Sequence, residues 1–141
     1  MTRQDIEAIF TRRHDALAHH DADAAGAVYA ADAVVESPIG GGTVRGREAN
    51  TEVMRTLLRA FPDVTFEMEA LLVDGDRVAE QTNMSGTDNG GFMGMPPTRK
   101  PFQLRLVSMC QVRDGEIVHE RRIYDFTGML VQIGVLRAKP A

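Results

Sequence analysis

The spacing of hydrophobic residues changes at Pro62, and no other feature of this sequence constrains the fold as strongly. Before Pro62, apolar residues such as Ile6 and Ile9 recur at intervals of three and four, which is typical of amphipathic helices. Over residues 64–72 apolar and polar residues alternate instead, which predicts a half-buried strand. Helices followed by an antiparallel meander of strands indicate an α+β domain. The length of the chain predicts that residues 1–141 form a single domain.

Capping residues and turn signals divide the chain into predicted elements. Thr2 can cap a first helix, and Asp21 can start a short second helix that ends near Tyr29. The Asp-Gly pairs at 74–75 and 114–115 are two-residue hairpin signals. A curved sheet closed by helices leaves a cone, and a cone can hold a ligand. The third helix is predicted over residues 46–61, and the strands over residues 33–37, 64–72, 77–87 and 102–113 and after the second hairpin.

Composition and charge exclude several classes of partner. The chain carries 16 Lys and Arg residues against 20 Asp and Glu residues, and this balance argues against nucleic acid or an anionic membrane. The basic pairs Arg12-Arg13 and Arg121-Arg122 are isolated, and we interpret them as solvated. The single cysteine, Cys110, excludes an internal disulfide and fits a reducing compartment. The N-terminus has the pattern of neither a signal peptide nor a membrane span, which predicts a cytoplasmic protein.

The sequence offers no motif for a metal or a cofactor. The four histidines form no helical pair with the spacing of metal ligands. The glycines at 40–42 predict a turn rather than a phosphate loop, because neither Lys-Ser/Thr nor a helix follows directly. A dinucleotide fingerprint is also missing. We therefore expect an activity that needs neither metal nor cofactor.

A strand runs directly into an amphipathic helix near the C-terminus, and Asp125 lies at their junction. A carboxylate at the rim of a sheet-lined pocket can serve as an acid/base, but Asp is also a good helix N-cap, so both interpretations stay open. Gly134 would end the helix. The apolar stripe of this helix is predicted to consist of Phe126, Met129, Leu130 and Ile133. Side chains alternate between the two faces of a strand, so one face is predicted to carry Ile117, His119, Arg121, Ile123 and Asp125.

Three segments carry a resemblance to a known family: GFMGMPPTRKPF at 91–102, VRDGEIVHE at 112–120, and the pattern D-F-x-G-x-L-x-Q-x-G that begins at Asp125. Together with the order of elements, they resemble the SnoaL-like polyketide cyclases of the NTF2-like superfamily. The resemblance implies a cone in which a curved antiparallel sheet packs against N-terminal helices around an internal ligand cavity. It also implies a cofactor-independent enzyme of the kind that serves antibiotic biosynthesis. Such an enzyme closes a ring of a polycyclic or poly-carbonyl hydrophobic substrate by an intramolecular aldol reaction.

The resemblance and the predicted strand face together supply candidate site residues. Asp125 matches the catalytic acid/base of the cyclases. His119 and Arg121 could polarise a carbonyl or orient that carboxylate, unless they form a surface salt-bridge row on the opposite side of the sheet. Leu106 and Ser108 match a glutamine and a histidine of the cyclases, so the particular aldol reaction does not carry over with the fold. The residues predicted to bind substrate are Tyr29, Ser37, Met93, Leu106, Ser108, Cys110 and Met129.

Other functions remain open on the same fold. The protein could be an epoxide-opening cyclase or hydrolase, or a hydroxylation partner, in which Asp125 protonates an oxygen or positions water. It could instead be a non-catalytic module that binds a hydrophobic ligand. Two buried hydrogen-bonding groups that face Asp125 across the cavity would favour an enzyme, and an all-apolar cavity would favour binding. We also expect a homodimer or a tetramer of dimers, because Val107 and Met109 lie on an outer sheet face that this superfamily commonly covers with a second subunit.

Overall fold

Four helices pack against a curved six-stranded sheet in the computed structural model, which describes residues 1–39, 41–137 and 139. Gly40, from the predicted glycine turn, lies outside the described residues. The helices are α1 (Arg3–Ala18), α2 (Ala22–Gly26), α3 (Arg47–Ala60) and α4 (Phe126–Gln132). The strands are β1 (Tyr29–Ser37), β2 (Gly42–Arg45), β3 (Thr65–Asp74), β4 (Arg77–Thr87), β5 (Pro101–Arg113) and β6 (Glu116–Ile123).

The α+β architecture is confirmed, and the strands lie in the order β2-β1-β6-β5-β4-β3. Neighbouring strands are antiparallel except β1 and β6, which run parallel. A parallel pair needs a long crossover connection, and here α3 and the strands β3 to β5 lie between the two strands in the chain. Tyr29 begins β1 instead of ending the second helix, because its backbone pairs with Ile117 in β6.

Helices α1 and α4 begin at the caps that the sequence predicts. At α1, the Thr2 hydroxyl accepts a hydrogen bond from the Asp5 backbone N–H at 3.1 Å, and the Asp5 carboxylate accepts one from the Thr2 N–H at 2.8 Å. At α4, Asp125 is the N-cap. Gly134 follows the helix with a φ of +80°, a left-handed conformation that suits glycine. The predicted apolar stripe of α4 packs in the core, with buried side chains at Met129, Leu130 and Ile133.

A bulge in β3 reverses the alternation of side chains in the second half of that strand. Glu69 is an extra residue between two pairs of the β3–β4 ladder, and such a residue moves the side chains beyond it to the other face. Unbroken alternation over residues 64–72 would place Leu72 on the buried face with Phe66, but beyond the bulge Leu72 is 67% exposed. Leu71 and Val73 pack against the core in its place.

A second bulge, at Val118, acts in the same way on β6. Ile117 and Glu120 lie on the inner face and are 0% and 1% exposed. His119 and Arg121 lie on the outer face, where they contact a carboxylate of β1. The prediction that Ile117 shares one face with His119 and Arg121 is wrong, because the alternation breaks between them.

The bulge at Glu69 predicts that Leu72 contributes little to the free energy of unfolding, and Val78 on the paired strand β4 is a buried reference. Leu72→Ala should change the free energy of unfolding by no more than about 0.5 kcal/mol, because an exposed side chain loses little contact. Val78→Ala should lower it by about 2 kcal/mol, because Val78 is 2% exposed in the core. Urea unfolding followed by circular dichroism measures both values. Equal losses in the two variants would contradict the register of β3.

Candidate active site

A cavity of about 80 Å³ lies between the inner face of the sheet and the helices α1, α3 and α4. This volume has room for roughly six water molecules. Most of the wall is apolar, with side chains such as Val53, Leu57 and Phe66. Polar and charged side chains from α1, β1, β4, β5 and β6 complete it. The cavity is therefore not the all-apolar space expected of a simple hydrophobe carrier.

Half of the predicted site residues line this cavity, namely Tyr29, Ser37, Leu106, Ser108 and Met129. They come from β1, β5 and α4, so the fold brings together residues that are far apart in the sequence. The Ser37 hydroxyl lies 3.4 Å from the hydroxyl of Tyr124. Binding of substrate by these five residues stays a prediction.

Cys110 and Met93 do not line the cavity as predicted. Cys110 shares the inner face of β5 but lies in the core next to the cavity. Burial raises the pKa of its thiol, and a thiol kept neutral is a poor nucleophile. Met93 is 60% exposed, because it lies in the glycine- and proline-rich segment between β4 and β5, outside the sheet.

His119 and Arg121 contact Glu36 instead of the cavity. Nε2 of His119 lies 2.8 Å from Oε2 of Glu36, and Nη2 of Arg121 lies 3.1 Å from the same oxygen. Hydrogen bonds from His119 and Arg121 lower the pKa of the Glu36 carboxyl. The two residues thus form the surface salt-bridge row that was the alternative interpretation. The bulge at Val118 is the physical reason that they are turned away from the cavity.

Asp125 caps α4 and does not face the cavity. Its Oδ1 accepts a hydrogen bond from the Gly128 backbone N–H at 2.8 Å. The residue is exposed, and it is not among the described residues that line the cavity. The N-cap interpretation is confirmed. An acid/base must lie within reach of the substrate, so this position gives the catalytic interpretation of Asp125 no support, and that interpretation stays a prediction.

Five side chains on the cavity wall form a network that we call the ion cluster: Arg13, Tyr29, Glu80, Glu120 and Arg122. Arg13 lies at its centre. Its Nη1 donates to the Tyr29 hydroxyl at 2.7 Å and to Oε1 of Glu120 at 2.9 Å. Its Nη2 donates to Oε1 of Glu80 at 3.1 Å. These bonds fix α1 to the strands β1, β6 and β4.

Arg122 completes the hydrogen bonds of Glu120. Its Nε donates to Oε2 of Glu120 at 3.0 Å, and its Nη2 donates to the Tyr29 hydroxyl at 3.2 Å. Tyr29 in turn donates to Oε1 of Glu120. The cluster contains two arginines and two glutamates, and buried charges are tolerated when they are paired and hydrogen-bonded in this way.

The surroundings fix the ionisation of Glu120 and Tyr29. Burial alone would raise the pKa of the Glu120 carboxyl, but the charges of Arg122 and Arg13 hold that pKa well below its ordinary range. Burial, offset in part by Arg13, raises the pKa of Tyr29 to about 12. At neutral pH Glu120 is therefore a carboxylate and Tyr29 a neutral phenol.

Glu80 differs from Glu120 because one of its oxygens is unpartnered. Its Oε1 accepts hydrogen bonds from Arg13 and from the Thr82 hydroxyl, at 3.1 Å and 3.2 Å. Its Oε2 is buried and has no hydrogen-bond partner among the described residues. Glu80 is 7% exposed and lines the cavity. A buried acceptor without a partner is costly, and a group that enters the cavity can supply the missing donor.

Glu80, Ser108 and Arg122 are cross-strand neighbours on β4, β5 and β6. Adjacent strands are about 4.8 Å apart, so the three side chains form a row across the inner face of the sheet. A guanidinium carries five N–H donors, and Arg122 uses its Nε and Nη2 within the ion cluster. The row can therefore offer one ligand an acceptor at Glu80, a hydroxyl at Ser108 and further donors at Arg122.

Four residues of the ion cluster are not among the site residues that the sequence predicts: Arg13, Glu80, Glu120 and Arg122. The interpretation of both basic pairs as solvated is wrong for one arginine of each pair, because the Arg13 and Arg122 side chains are 4% and 19% exposed. Arg13 follows Phe10 on the apolar stripe of α1, and Glu80 shares the inner face of β4 with Val78. A charged residue at an apolar position was the available signal.

The described part of the chain contains no group of three His, Cys, Asp or Glu side chains that could hold a metal ion. The carboxylates nearest the cavity, Glu80 and Glu120, bond to arginines. Among residues 1–39, 41–137 and 139, no helix has the length and apolar character needed to cross a membrane.

A family model described as SnoaL-like polyketide cyclase matches residues 8–133 of the chain. Known structures share the fold over nearly the whole chain. IdmH from Streptomyces antibioticus, a proposed polyketide cyclase, is 33% identical, with a TM-score of 0.77 over 91% of this chain and 97% of its own. AclR from Streptomyces galilaeus, a proposed hydroxylase, is 25% identical, with a TM-score of 0.83 over 99% of this chain and 87% of its own. An NTF2-like protein from Burkholderia pseudomallei is 17% identical, with a TM-score of 0.77 over 94% of this chain and 98% of its own. No curated protein sequence matches the chain.

The stability of the protein should depend on pH through the phenol of Tyr29. The chain has 2 tyrosines and no tryptophan, so replacement of the other tyrosine leaves a single phenol to follow. The pKa of Tyr29 in the folded protein, about 12, lies above the ordinary value of about 10. The unfolded chain loses this proton first, so stability is fully present below about pH 10 and is lost as the pH rises toward 12. In Tyr124→Phe, the alkaline phenolate absorbance reports Tyr29 alone. We expect ionisation near pH 12 or together with unfolding, and ionisation of the folded protein at about pH 10 would contradict the buried network.

Proposed function

The chain belongs to the SnoaL-like polyketide cyclase family, and we propose that it is a cofactor-independent enzyme that cyclises a small hydrophobic substrate with several carbonyl groups. The observation that carries this proposal is the unpartnered Oε2 of Glu80 on the wall of a mostly apolar cavity. A site that only binds a hydrophobe does not need buried ion pairs, whereas an acid/base enzyme needs a carboxylate beside its substrate.

Glu80 is the proposed acid/base. Both oxygens of Glu120 accept hydrogen bonds from arginines, and those charges hold it in its ionised form. Asp125 is exposed, and one of its oxygens is bonded to the backbone of α4. Of these three carboxylates, Glu80 alone combines a position on the cavity wall with an unpartnered oxygen. A general base requires both properties.

The proposed reaction begins when Oε2 of Glu80 removes a proton from a carbon beside a carbonyl group, and the electrons of the C–H bond form an enolate. The enolate carbon attacks another carbonyl carbon of the same molecule. A carbon–carbon bond forms, and the π bond of that carbonyl becomes an alkoxide. Glu80 returns the proton to the alkoxide oxygen. The product is an isomer of the substrate, and the enzyme is unchanged.

Arg122 and Ser108 are the proposed partners of the enolate oxygen. They lie beside Glu80 in the cross-strand row, and both line the cavity. Hydrogen-bond donors that are held in place in a site with little water stabilise developing negative charge strongly. The apolar wall supports the folded conformation in which the two reacting carbons approach each other.

Hydroxylation is a second candidate, and the similarity to AclR, a proposed hydroxylase, favours it because it extends over 99% of this chain at 25% identity. Hydroxylation would also need molecular oxygen and a two-electron reductant, and Glu80 would then donate a proton to the oxygen atom that leaves as water. The same residues serve both chemistries. The mass of the product separates the two reactions. An aldol product has the same mass as its substrate, whereas a hydroxylated product is heavier by one oxygen atom.

We also propose that two copies of the chain associate through the outer face of the sheet. Met109 and Ile123 lie on the adjacent strands β5 and β6 and are 47% and 55% exposed. Val107 is the cross-strand partner of Ile123 on the same outer face. Exposed apolar side chains on neighbouring strands are typical of a surface that a second subunit buries.

The proposed chemistry predicts that Glu80→Gln and Asp125→Asn differ in activity. A triketone with an oxobutyl chain on a cyclohexanedione ring is a suitable probe, because it closes a second ring by an intramolecular aldol reaction that NMR can follow. Glu80→Gln keeps the size of the side chain and removes the base, so the rate should fall by at least about a hundredfold. Asp125→Asn keeps a good helix cap, so the rate and the melting temperature should stay nearly unchanged.

Equal rates for the wild type and Glu80→Gln would contradict the role of Glu80. A loss of about a hundredfold in Asp125→Asn, at an unchanged melting temperature, would instead assign the acid/base role to Asp125, as the family resemblance predicts.

The proposed dimer predicts a sedimentation mass of at least twice the 15.5 kDa of the chain at micromolar concentration. Ile123→Lys should shift the protein toward monomers, because a buried lysine without a partner is strongly disfavoured. Met93→Lys is the matched control, since Met93 is exposed outside the sheet. A wild-type monomer, or equal shifts in the two variants, would contradict an interface on this face.

A further inference from the structure

Arg13 is the one member of the ion cluster that comes from a helix, and its position is tightly fixed. Its side chain is 4% exposed, and its Cζ lies 5.0 Å from the centre of the Phe10 ring. Its two Nη atoms donate to acceptors on three different strands. A planar guanidinium held by several acceptors has a single orientation, unlike the flexible ammonium of a lysine.

Arg13 also determines which oxygen of Glu80 is occupied. The two oxygens of a carboxylate are chemically equivalent, so the surroundings must decide which of them faces a ligand. Nη2 of Arg13 bonds to Oε1 at 3.1 Å, and the Thr82 hydroxyl bonds to the same atom at 3.2 Å. A hydroxyl can rotate to suit a displaced carboxylate, whereas the guanidinium cannot. Oε2 remains unpartnered as a consequence.

We infer that Arg13 is a positioning residue for the proton transfer. It binds Oε1 of Glu80, supplies the opposite charge that a buried carboxylate needs, and thereby leaves Oε2 available to the substrate. This inference rests on the acid/base role proposed for Glu80. It makes α1 a part of the catalytic apparatus as well as a cover for the sheet.

A base-promoted ring opening tests the inference without the natural substrate. Nitrobenzisoxazole is a flat molecule of two fused rings. A carboxylate takes the proton of its ring C–H, the C–H electrons complete a C≡N triple bond, the N–O bond breaks, and a coloured nitrophenolate leaves. Glu80 then passes the proton to water, which restores the base. The probe thus reports on the carboxylate and its orientation.

Arg13→Lys and Arg13→Gln are the informative variants, because each keeps a hydrogen-bond donor but loses the two-pronged fork. We expect kcat for the probe to fall by at least about tenfold in both, with KM changed by less than about threefold, since a misdirected base slows the chemical step more than binding. Lysine keeps the positive charge, so Arg13→Lys should retain more activity than Arg13→Gln. Each variant is assayed at a temperature at which circular dichroism shows it to be folded.

Ile9→Ala is the matched control for loosening of α1. Ile9 lies on the same helix, is 1% exposed in the core, and does not line the cavity. This variant should melt at least as early as Arg13→Lys and keep kcat for the probe nearly unchanged. If Ile9→Ala loses as much kcat as the Arg13 variants, Arg13 acts only through the packing of the helix and the inference is overturned.

The Glu80→Gln variant separates the role of Arg13 from the role of Glu80. We expect it to lose at least about a hundredfold in kcat for the probe. If it does so while both Arg13 variants keep full activity, the inference fails and the role of Glu80 stands. If Glu80→Gln keeps full activity, the proposed function fails together with the inference.

Discussion

The hydrogen bonds of Arg13 to Glu80 and Glu120 hold α1 on the sheet and give the cavity its polar wall. Removal of one partner from a buried ion pair costs about 3–5 kcal/mol, a large part of the 5–15 kcal/mol by which a domain of ordinary stability is folded. Replacement of a whole buried ion cluster by apolar residues is nevertheless often neutral or stabilising. The need for stability therefore does not explain why charges occupy this site, whereas the proposed acid/base function would.

The two glutamates of the cluster illustrate how surroundings assign different roles to the same side chain. Glu120 accepts hydrogen bonds from both arginines and from Tyr29, which holds it as a fixed anion. Glu80 bonds through one oxygen and leaves the other unpartnered at the cavity. Pairs of carboxylates in unlike environments are a common basis for acid/base chemistry. The fixed anion anchors the arginines, and the arginines orient the proposed base.

Local signals in the sequence predicted most of the fold, because helix periodicity, caps and hairpin turns act over a few residues. The cap at Thr2 and the glycine end of α4 are examples. The bulges at Glu69 and Val118 were not predicted, because an extra residue in a strand depends on its pairing partner rather than on its own sequence. The bulge at Val118 breaks the alternation along β6, so His119 and Arg121 lie on the outer face and not on the predicted cavity face. Local sequence leaves Asp125 open between a helix cap and an acid/base, and the isolated Arg12-Arg13 pair indicates solvated side chains, although Arg13 is buried.

A crystal structure of the protein with β-tetralone, a flat ketone of two fused rings, is a direct test of the claim that Glu80 is the base. We expect the ketone to lie in the cavity with its oxygen on Arg122 or Ser108. Its acidic carbon should lie within about 3.5 Å of Oε2 of Glu80, a distance suited to proton transfer. A ketone bound beside Asp125, or an Oε2 of Glu80 that bonds to a donor of the protein in the complex, would contradict the claim.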